Sequence, residues 1–424
     1  MPTSLVLLAA LQMGEPFGVR MREPVDDPAS PRVAVPATPS EGRELEAPLS
    51  YVGDAIPSPD YSPTPPPPSE RKLGTNTTLF VNFDGVHIGD CTPSDSHRNC
   101  NWLKKNTTFE PWSGSLTDRV AVLDVIRSMT ADFGIRVTGQ RPAEDEPYTM
   151  VVYGGDSVVE EALGRAPAGD CWNDLPNEIA YAFMDASRAS WINGGASTAL
   201  HEAAHTWGFD HVGLEGTLMA PSGGNTANPP FDGCGTVVED VALTPAKESS
   251  CPAINLELCG LSGYQYDTAL LRLLFGQPYV DDQAPEPILV APFDGIYFQG
   301  PASFDVVIEI IDDLEPQRYQ VAVIVPGLAD DPKYTAAYSA DFSVDALPIG
   351  TWNFEVRVRD EAGNEGSLSF VVEVGEDPAL LDDGCNCRSP ERGQPGPGWL
   401  ALLVVPLLVR RPRRLIERKR RDPR

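Results

Sequence analysis

The eleven residues from His201 to His211 read His-Glu-Ala-Ala-His-Thr-Trp-Gly-Phe-Asp-His, and they gather three of the five histidines of this 424-residue chain. On a helix, His201 and His205 stand four residues apart, so both imidazoles leave one face and can share an ion. Glu202 sits beside the first of them, where its carboxylate reaches a water at an open coordination position. Gly208 lets the chain leave the helix sharply, because glycine accepts the left-handed conformation that other residues resist. That turn brings His211 back as a third nitrogen. Three protein ligands plus a water make a catalytic zinc site, whereas structural sites close with a fourth protein ligand. The alternative is a core helix that carries satisfied histidines. The length of the motif weighs against it.

The long motif resembles the signature of the metzincin zinc peptidases, which continues into a methionine turn. Downstream, Gly216-Thr-Leu-Met-Ala-Pro221 offers Met219, eight residues after His211, as that turn. The resemblance implies Zn²⁺ held by His201, His205 and His211, with Met219 in a hydrophobic floor beneath it. It also implies Glu202 as general base and a protein or peptide as substrate. Some members carry a tyrosine two residues after the methionine that can approach the metal. Here that position is Pro221, which argues against such a ligand. In the rival gluzincin layout a glutamate from a later helix is the third ligand. Glu239 is the nearby candidate, and His211 makes it unnecessary.

A scaffold must hold these residues. The run 78–84 reads as a strand, and 116–133 as an amphipathic helix with Val120, Val122, Leu123, Ile126 and Met129 on its apolar side. Residues 135–137, 149–153 and 179–184 are strand-like, and strands alternating with helices fit a mixed sheet. The helix carrying His201 is expected to start after the turn Asn193-Gly194-Gly195. Leu270, Leu271, Leu273 and Leu274 suggest a closing helix within 264–275. These patterns predict a mixed α/β sheet, and with the resemblance they imply over 75–280 an α/β (α+β) metzincin-like catalytic domain with a mixed sheet and a zinc helix. The resemblance further implies that one strand pairs with an extended substrate, without saying which. Cys91, Cys100, Cys171, Cys234, Cys251 and Cys259 allow fifteen pairings, and proximity favours Cys91 with Cys100. His87 and His97 show no ligand spacing and read as surface or structural residues.

A linker at 280–287 opens a second unit, 284–376. Short strands at 288–290, 304–311, 319–325, 342–344, 352–358 and 368–374 are separated by turns at sandwich spacing. The run Gly350-Thr-Trp-Asn-Phe-Glu-Val-Arg-Val-Arg-Asp-Glu-Ala-Gly-Asn364 resembles the last strands of bacterial immunoglobulin-like modules. That implies an all-β Ig-like sandwich, and a fold rather than a function.

The formal charge of −29 excludes nucleic acid as a partner, since phosphate binding needs a basic surface. The last fifteen residues carry nine Lys/Arg and two Asp/Glu, so −29 less their +7 leaves about −36 for the body. Eight cysteines in so acidic a chain fit an oxidising compartment. Residues 1–21 hold a short apolar run, 4–11, that could be the core of a secretory signal, although no Lys or Arg precedes Arg20. Residues 22–74, rich in Pro, Ser, Asp and Glu, read as a disordered linker or pro-segment. With no cysteine before Cys91, latency through a pro-segment thiol is excluded. In the tail, 377–424, Cys385-Asn-Cys387 precedes the apolar run 399–409 and an arginine cluster. This order resembles the C-terminal sorting tails of myxobacterial surface proteins, which implies export and attachment to the cell envelope. Eleven apolar residues are too few to span a bilayer. Two functions follow as expectations. One is a secreted or surface-attached zinc endopeptidase, and the other a surface adhesin with a non-catalytic metal site. Oligomeric state is not legible.

Overall fold

Strands buried on both faces build the first part of the molecule. The computed structural model describes residues 17–22, 55–57, 77–155, 162–185, 188, 190–239, 241–246 and 248–376. The elements begin with β1 (Gly18–Met21), β2 (Ala55–Pro57), β3 (Thr78–Asn82), β4 (Val86–Ile88), β5 (Thr107–Phe109), α1 (Leu116–Thr130), β6 (Arg136–Thr138), β7 (Thr149–Tyr153), β8 (Gly164–Ala168) and β9 (Ile179–Ala182). They continue with α2 (Ile192–Thr206), β10 (Gly235–Thr236), α3 (Pro252–Cys259), β11 (Tyr264–Gln265) and α4 (Asp267–Phe275).

Six strands form a mixed sheet in the order β2-β8-β9-β7-β3-β6. β6, β3, β7 and β9 run parallel, β8 is antiparallel to β9, and β2 lies parallel to β8. Successive side chains alternate between faces. Leu79, Val81, Val151, Tyr153 and Ala180 join α1, α2 and α4 in one apolar core. Phe80, Met150, Val152, Ile179 and Tyr181 turn the other way, where Ile88 and Phe109 of the β4–β5 hairpin cover them. α1 starts on a capping box between Ser115 and Asp118, and the five apolar residues expected on its inner side are buried. α2 is buried all round from Gly194 to Thr206, so it has no solvent face to keep polar.

Three features differ from the sequence expectation. α2 begins at Ile192, so Asn193-Gly194-Gly195 forms its first turn instead of preceding it. A Cβ at Gly195 would fall 1.9 Å from the Tyr153 hydroxyl, and one at Gly194 2.4 Å from the Gly224 carbonyl. Here the glycines serve close packing and do not break the helix. β8 was not foreseen, because Gly-Arg-Ala-Pro-Ala has no strand signature. Its Pro167 lies past Gly164 and Arg165, the two residues that pair with β9, so the missing N–H interrupts no ladder there. Ala55–Pro57, inside the stretch read as a linker or pro-segment, pairs with Ala166–Ala168.

The second part comprises β12 (Glu286–Ala291), β13 (Ile296–Gln299), β14 (Ala302–Ile311), β15 (Tyr319–Ile324), β16 (Thr335–Ala337), β17 (Phe342–Leu347), β18 (Gly350–Arg359) and β19 (Glu365–Gly375). Two sheets, β1-β17-β14-β12 and β13-β19-β18-β15-β16, enclose one core that includes Phe342, Phe354 and Phe370. The two-layer sandwich was legible, though not the short strands β13 and β16. Nor was β1, which lies in the range read as a possible signal and pairs antiparallel with β17. The apolar run 4–11 and the tail from 377 lie outside the described residues.

Up to Glu376 the chain forms one unit. The loop after β14 is its joint. Gly139 N–H and Thr138 Oγ1 donate to the Glu315 carbonyl at 2.9 and 3.0 Å, and Arg136 Nη1 to that of Asp313 at 3.0 Å. Arg127 adds donations to the carbonyls of Leu314 and Pro316. Disulfides join Cys91 to Cys100, as proximity suggested, Cys171 to Cys251 and Cys234 to Cys259. Among the described residues, no helix is long and apolar enough to cross a membrane.

Candidate functional site

His201 and His205 occupy successive turns of α2, and their Nε2 atoms stand 3.0 Å apart. Beyond Thr206 the chain reverses through Gly208 at φ +88°. A Cβ there would also lie 2.7 Å from Cys171 Cα and 2.9 Å from Cys251 Sγ, so only glycine suits the turn. The reversal returns His211, with Nε2 3.2 Å from that of His201. His201 and His205 are fully buried, and His211 is 7% exposed.

Each ring on the helix is fixed from behind. His201 Nδ1 lies 2.7 Å from the Leu218 carbonyl, and His205 Nδ1 2.8 Å from that of Phe209. A proton held at Nδ1 by a carbonyl leaves Nε2 as the donor atom, facing the centre. Imidazole nitrogens around one tetrahedral ion at 2.0–2.1 Å stand roughly 3.3 Å apart. The three rings therefore suit a single divalent ion with little rearrangement.

Glu202 is fully buried and lies against β8. A Cβ on Gly164 would come within 2.3 Å of its Oε1, so a larger residue there would push the carboxylate aside. Met219 is also fully buried, and its carbonyl accepts Val212 N–H at 2.7 Å. The turn 216–221 thus carries both Met219 and, through Leu218, the acceptor that orients His201. Of the five residues singled out from the sequence, the three histidines come together, while Glu202 and Met219 are buried on the helix and turn that carry or brace them.

The structure adds braces the sequence did not mark. Asp210 accepts from the Ser249 hydroxyl at 2.6 Å, while its N–H donates to Gln265 Oε1 at 2.8 Å. Gln265 returns Nε2 to the Asp210 carbonyl at 2.9 Å and to Asp267 Oδ1 at 2.9 Å. Burial pushes the Asp210 carboxyl up, against the hydrogen bonds from Ser249 and Ser250, and pushes Asp267 up to about 7. These partners lie 39 and 55 residues from Asp210, so no local pattern announces them. Trp207 Nε1 anchors the end of α2 to Thr149 Oγ1 at 3.0 Å. Glu239 is exposed. His87 bonds Thr108, and His97 packs edge-on against Tyr148 at 4.7 Å. None of these three belongs to the cluster of His201, His205 and His211.

No family model matches the chain, and no curated protein matches it. Among solved structures, the fibronectin(III)-like modules of Clostridium thermocellum CbhA are 15% identical over 26% of this chain and 54% of theirs, with a TM-score of 0.20. The chain thus spans about half the length of those modules. A lipoprotein from Bacteroides thetaiotaomicron is 9% identical over 26% of this chain and 95% of its own, at a TM-score of 0.19. A nucleoside hydrolase-related protein from Saccharophagus degradans is 11% identical over 70% and 100%, at 0.18. Scores this low carry no argument, and the α+β part and the sandwich stand on the geometry above.

Proposed function

We propose that the chain is an exported zinc endopeptidase of metzincin type. The observation that carries this reading is the convergence of three buried imidazoles, two of them on α2 and oriented through Nδ1 and the third returned by the Gly208 turn, with Glu202 next in sequence to the first. His201, His205 and His211 would hold Zn²⁺. Bound zinc supplies a Lewis acid for the scissile carbonyl and lowers the pKa of its water towards about 7.

The chain's own groups do the rest. Glu202 takes the proton of the attacking water on a carboxylate oxygen and returns it to the amine that leaves as the peptide bond breaks. Gly164 keeps the space that carboxylate needs. Main-chain groups of β8 offer an extended peptide a strand to join, and a peptide on the outer edge of β8 takes the place of Ala55–Pro57. Met219 contributes an apolar floor that keeps water from competing for the histidine rings. Three disulfides support an oxidising compartment.

The test is Glu202→Ala. The variant is expected to bind about one zinc per chain and to lose peptide hydrolysis by roughly 10²–10⁴-fold. Retention of most activity would sink the mechanism. If the unaltered protein shows no chelator-sensitive cleavage of casein or a mixed peptide library, the adhesin reading takes its place.

A further inference from the structure

Away from the imidazoles, the described residues bring one other set of metal-ligating side chains together. Asp281, Asp312 and Asp313 each offer an oxygen, and these lie within 4.8 Å of one another. Asp281 belongs to the linker that follows α4. The other two open the loop at the joint between the α+β part and the sandwich.

The accounting of hydrogen bonds at this cluster does not close. Asp312 is 7% exposed, and its Oδ1 accepts Leu314 N–H at 2.9 Å and Gln317 Nε2 at 3.1 Å. Its Oδ2 is buried with no donor. Asp313 Oδ2 accepts the Tyr279 hydroxyl, while its Oδ1 is likewise buried without a donor. Asp281 receives Asn364 Nδ2, at 3.3 Å on the carboxylate and 3.2 Å on the carbonyl. The nearby cation, Arg136, is taken up by the Asp313 carbonyl and by Glu146. Burial first, and neighbouring carboxylates after it, push Asp281 and Asp312 up to about 6. Carboxylate oxygens packed together in this way are costly unless a cation or a proton lies among them.

We infer that Asp281, Asp312 and Asp313 form a Ca²⁺ site that ties the linker to the joint loop. The donors are all oxygen, which suits a hard cation and offers zinc neither nitrogen nor sulfur. Calcium accepts irregular arrangements and completes its six to eight ligands with carbonyls and water. A cleft of about 270 Å³, lined by Asp312, Asp313 and Gln283 among others, gives the ion and its waters a way in. The loop so held is the one whose carbonyls receive Arg127, Arg136, Thr138 and Gly139. Calcium there stiffens the connection between the two folded parts, whatever reaction the histidines perform.

The experiment uses the full chain, freed of metal and then saturated with zinc, titrated with CaCl₂ by calorimetry and with Tb³⁺ by luminescence sensitised from Tyr279. The expected result is one Ca²⁺ per chain with a Kd on the order of 10⁻⁵–10⁻³ M and a higher midpoint of thermal unfolding in 10 mM CaCl₂. Asp312→Asn/Asp313→Asn is expected to abolish the Ca²⁺ response and leave the zinc content unchanged. Asp281→Asn, in the linker, is expected to weaken Ca²⁺ at least tenfold should the double variant fail to fold. No binding by the unaltered chain up to 10 mM Ca²⁺ overturns the proposal. So does a linker variant that binds as tightly as the unaltered chain. A proton shared by Asp312 and Asp313 would produce that first result.

Discussion

The α+β part and the sandwich bury their side chains by different rules. In the first, β3, β7 and β9 are buried on both faces, and α2 buries His201, Glu202 and His205 along with its apolar residues. In the sandwich, β14 and β18 alternate between buried and accessible positions. Its buried polar residues, among those described, are Asp312, Gln317 and Asp360. Asp312 and Gln317 lie in the joint loop, and Asp360 bonds Asn364, which reaches Asp281 of the linker. Buried polar groups need partners, and those of the sandwich collect where it meets the linker and the α+β part. The side chains between the two sheets are otherwise mostly apolar.

The largest effect that separates the two parts comes from Phe354, fully buried and stacked on Phe370 at 4.9 Å. Phe354→Ala is expected to cost about 3–5 kcal/mol and to unfold the sandwich first. Calorimetry should then show two transitions, and on the proposed reading the part that remains folded should still take up its zinc. A single transition in which both parts are lost together would break the comparison. A smaller effect is expected at the joint. Arg127 donates to the carbonyls of Val137, Leu314 and Pro316, and Arg127→Met strips donors from both sides at about 1–3 kcal/mol. The variant should split one transition into two without lowering either midpoint as far as Phe354→Ala does.

The smallest effect is a slope. Asp267, fully buried, has its carboxyl raised from 3.8 to about 7, first by burial and against the hydrogen bonds from Gln265 and Phe231. A raised acid stabilises the fold while protonated, fully below about pH 3.8, and that contribution is lost as the pH rises to about 7. Denaturant midpoints measured across that window should fall less steeply in Asp267→Asn than in the unaltered chain. Equal slopes would mean that Asp267 titrates like an exposed carboxylate.

Each part was legible to the extent that its rule is local. The spacing of His201 and His205 announces a shared face, because helical periodicity acts within a few residues, and Gly208 announces the turn that returns His211. Alternation announces most strands of the sandwich for the same reason. What escaped were features set by distant chain. Gly194 and Gly195 look like a helix breaker until Tyr153 and Gly224 are seen against them. β8, with its Gly164 and Pro167, becomes a strand only because β9 and β2 flank it. The bracing of Asp210 by Ser249 and Gln265, and the disulfides of Cys171 and Cys234, depend on pairings that no window of sequence contains.

The Cys171–Cys251 bond has a consequence in time. It closes a ring of 80-residue separation that contains His201, Glu202, His205, His211 and Met219, and its sulfur rests against the Gly208 turn. Closing a ring of that size removes roughly 4–5 kcal/mol of chain entropy from the unfolded state. The order of events follows. While thiols stay reduced, packing and hydrogen bonds draw the three imidazoles together; once Cys251 meets Cys171, the chain that carries them is also closed by a covalent hoop. The fold that carries the site is therefore harder to lose in surroundings where electrons are scarce.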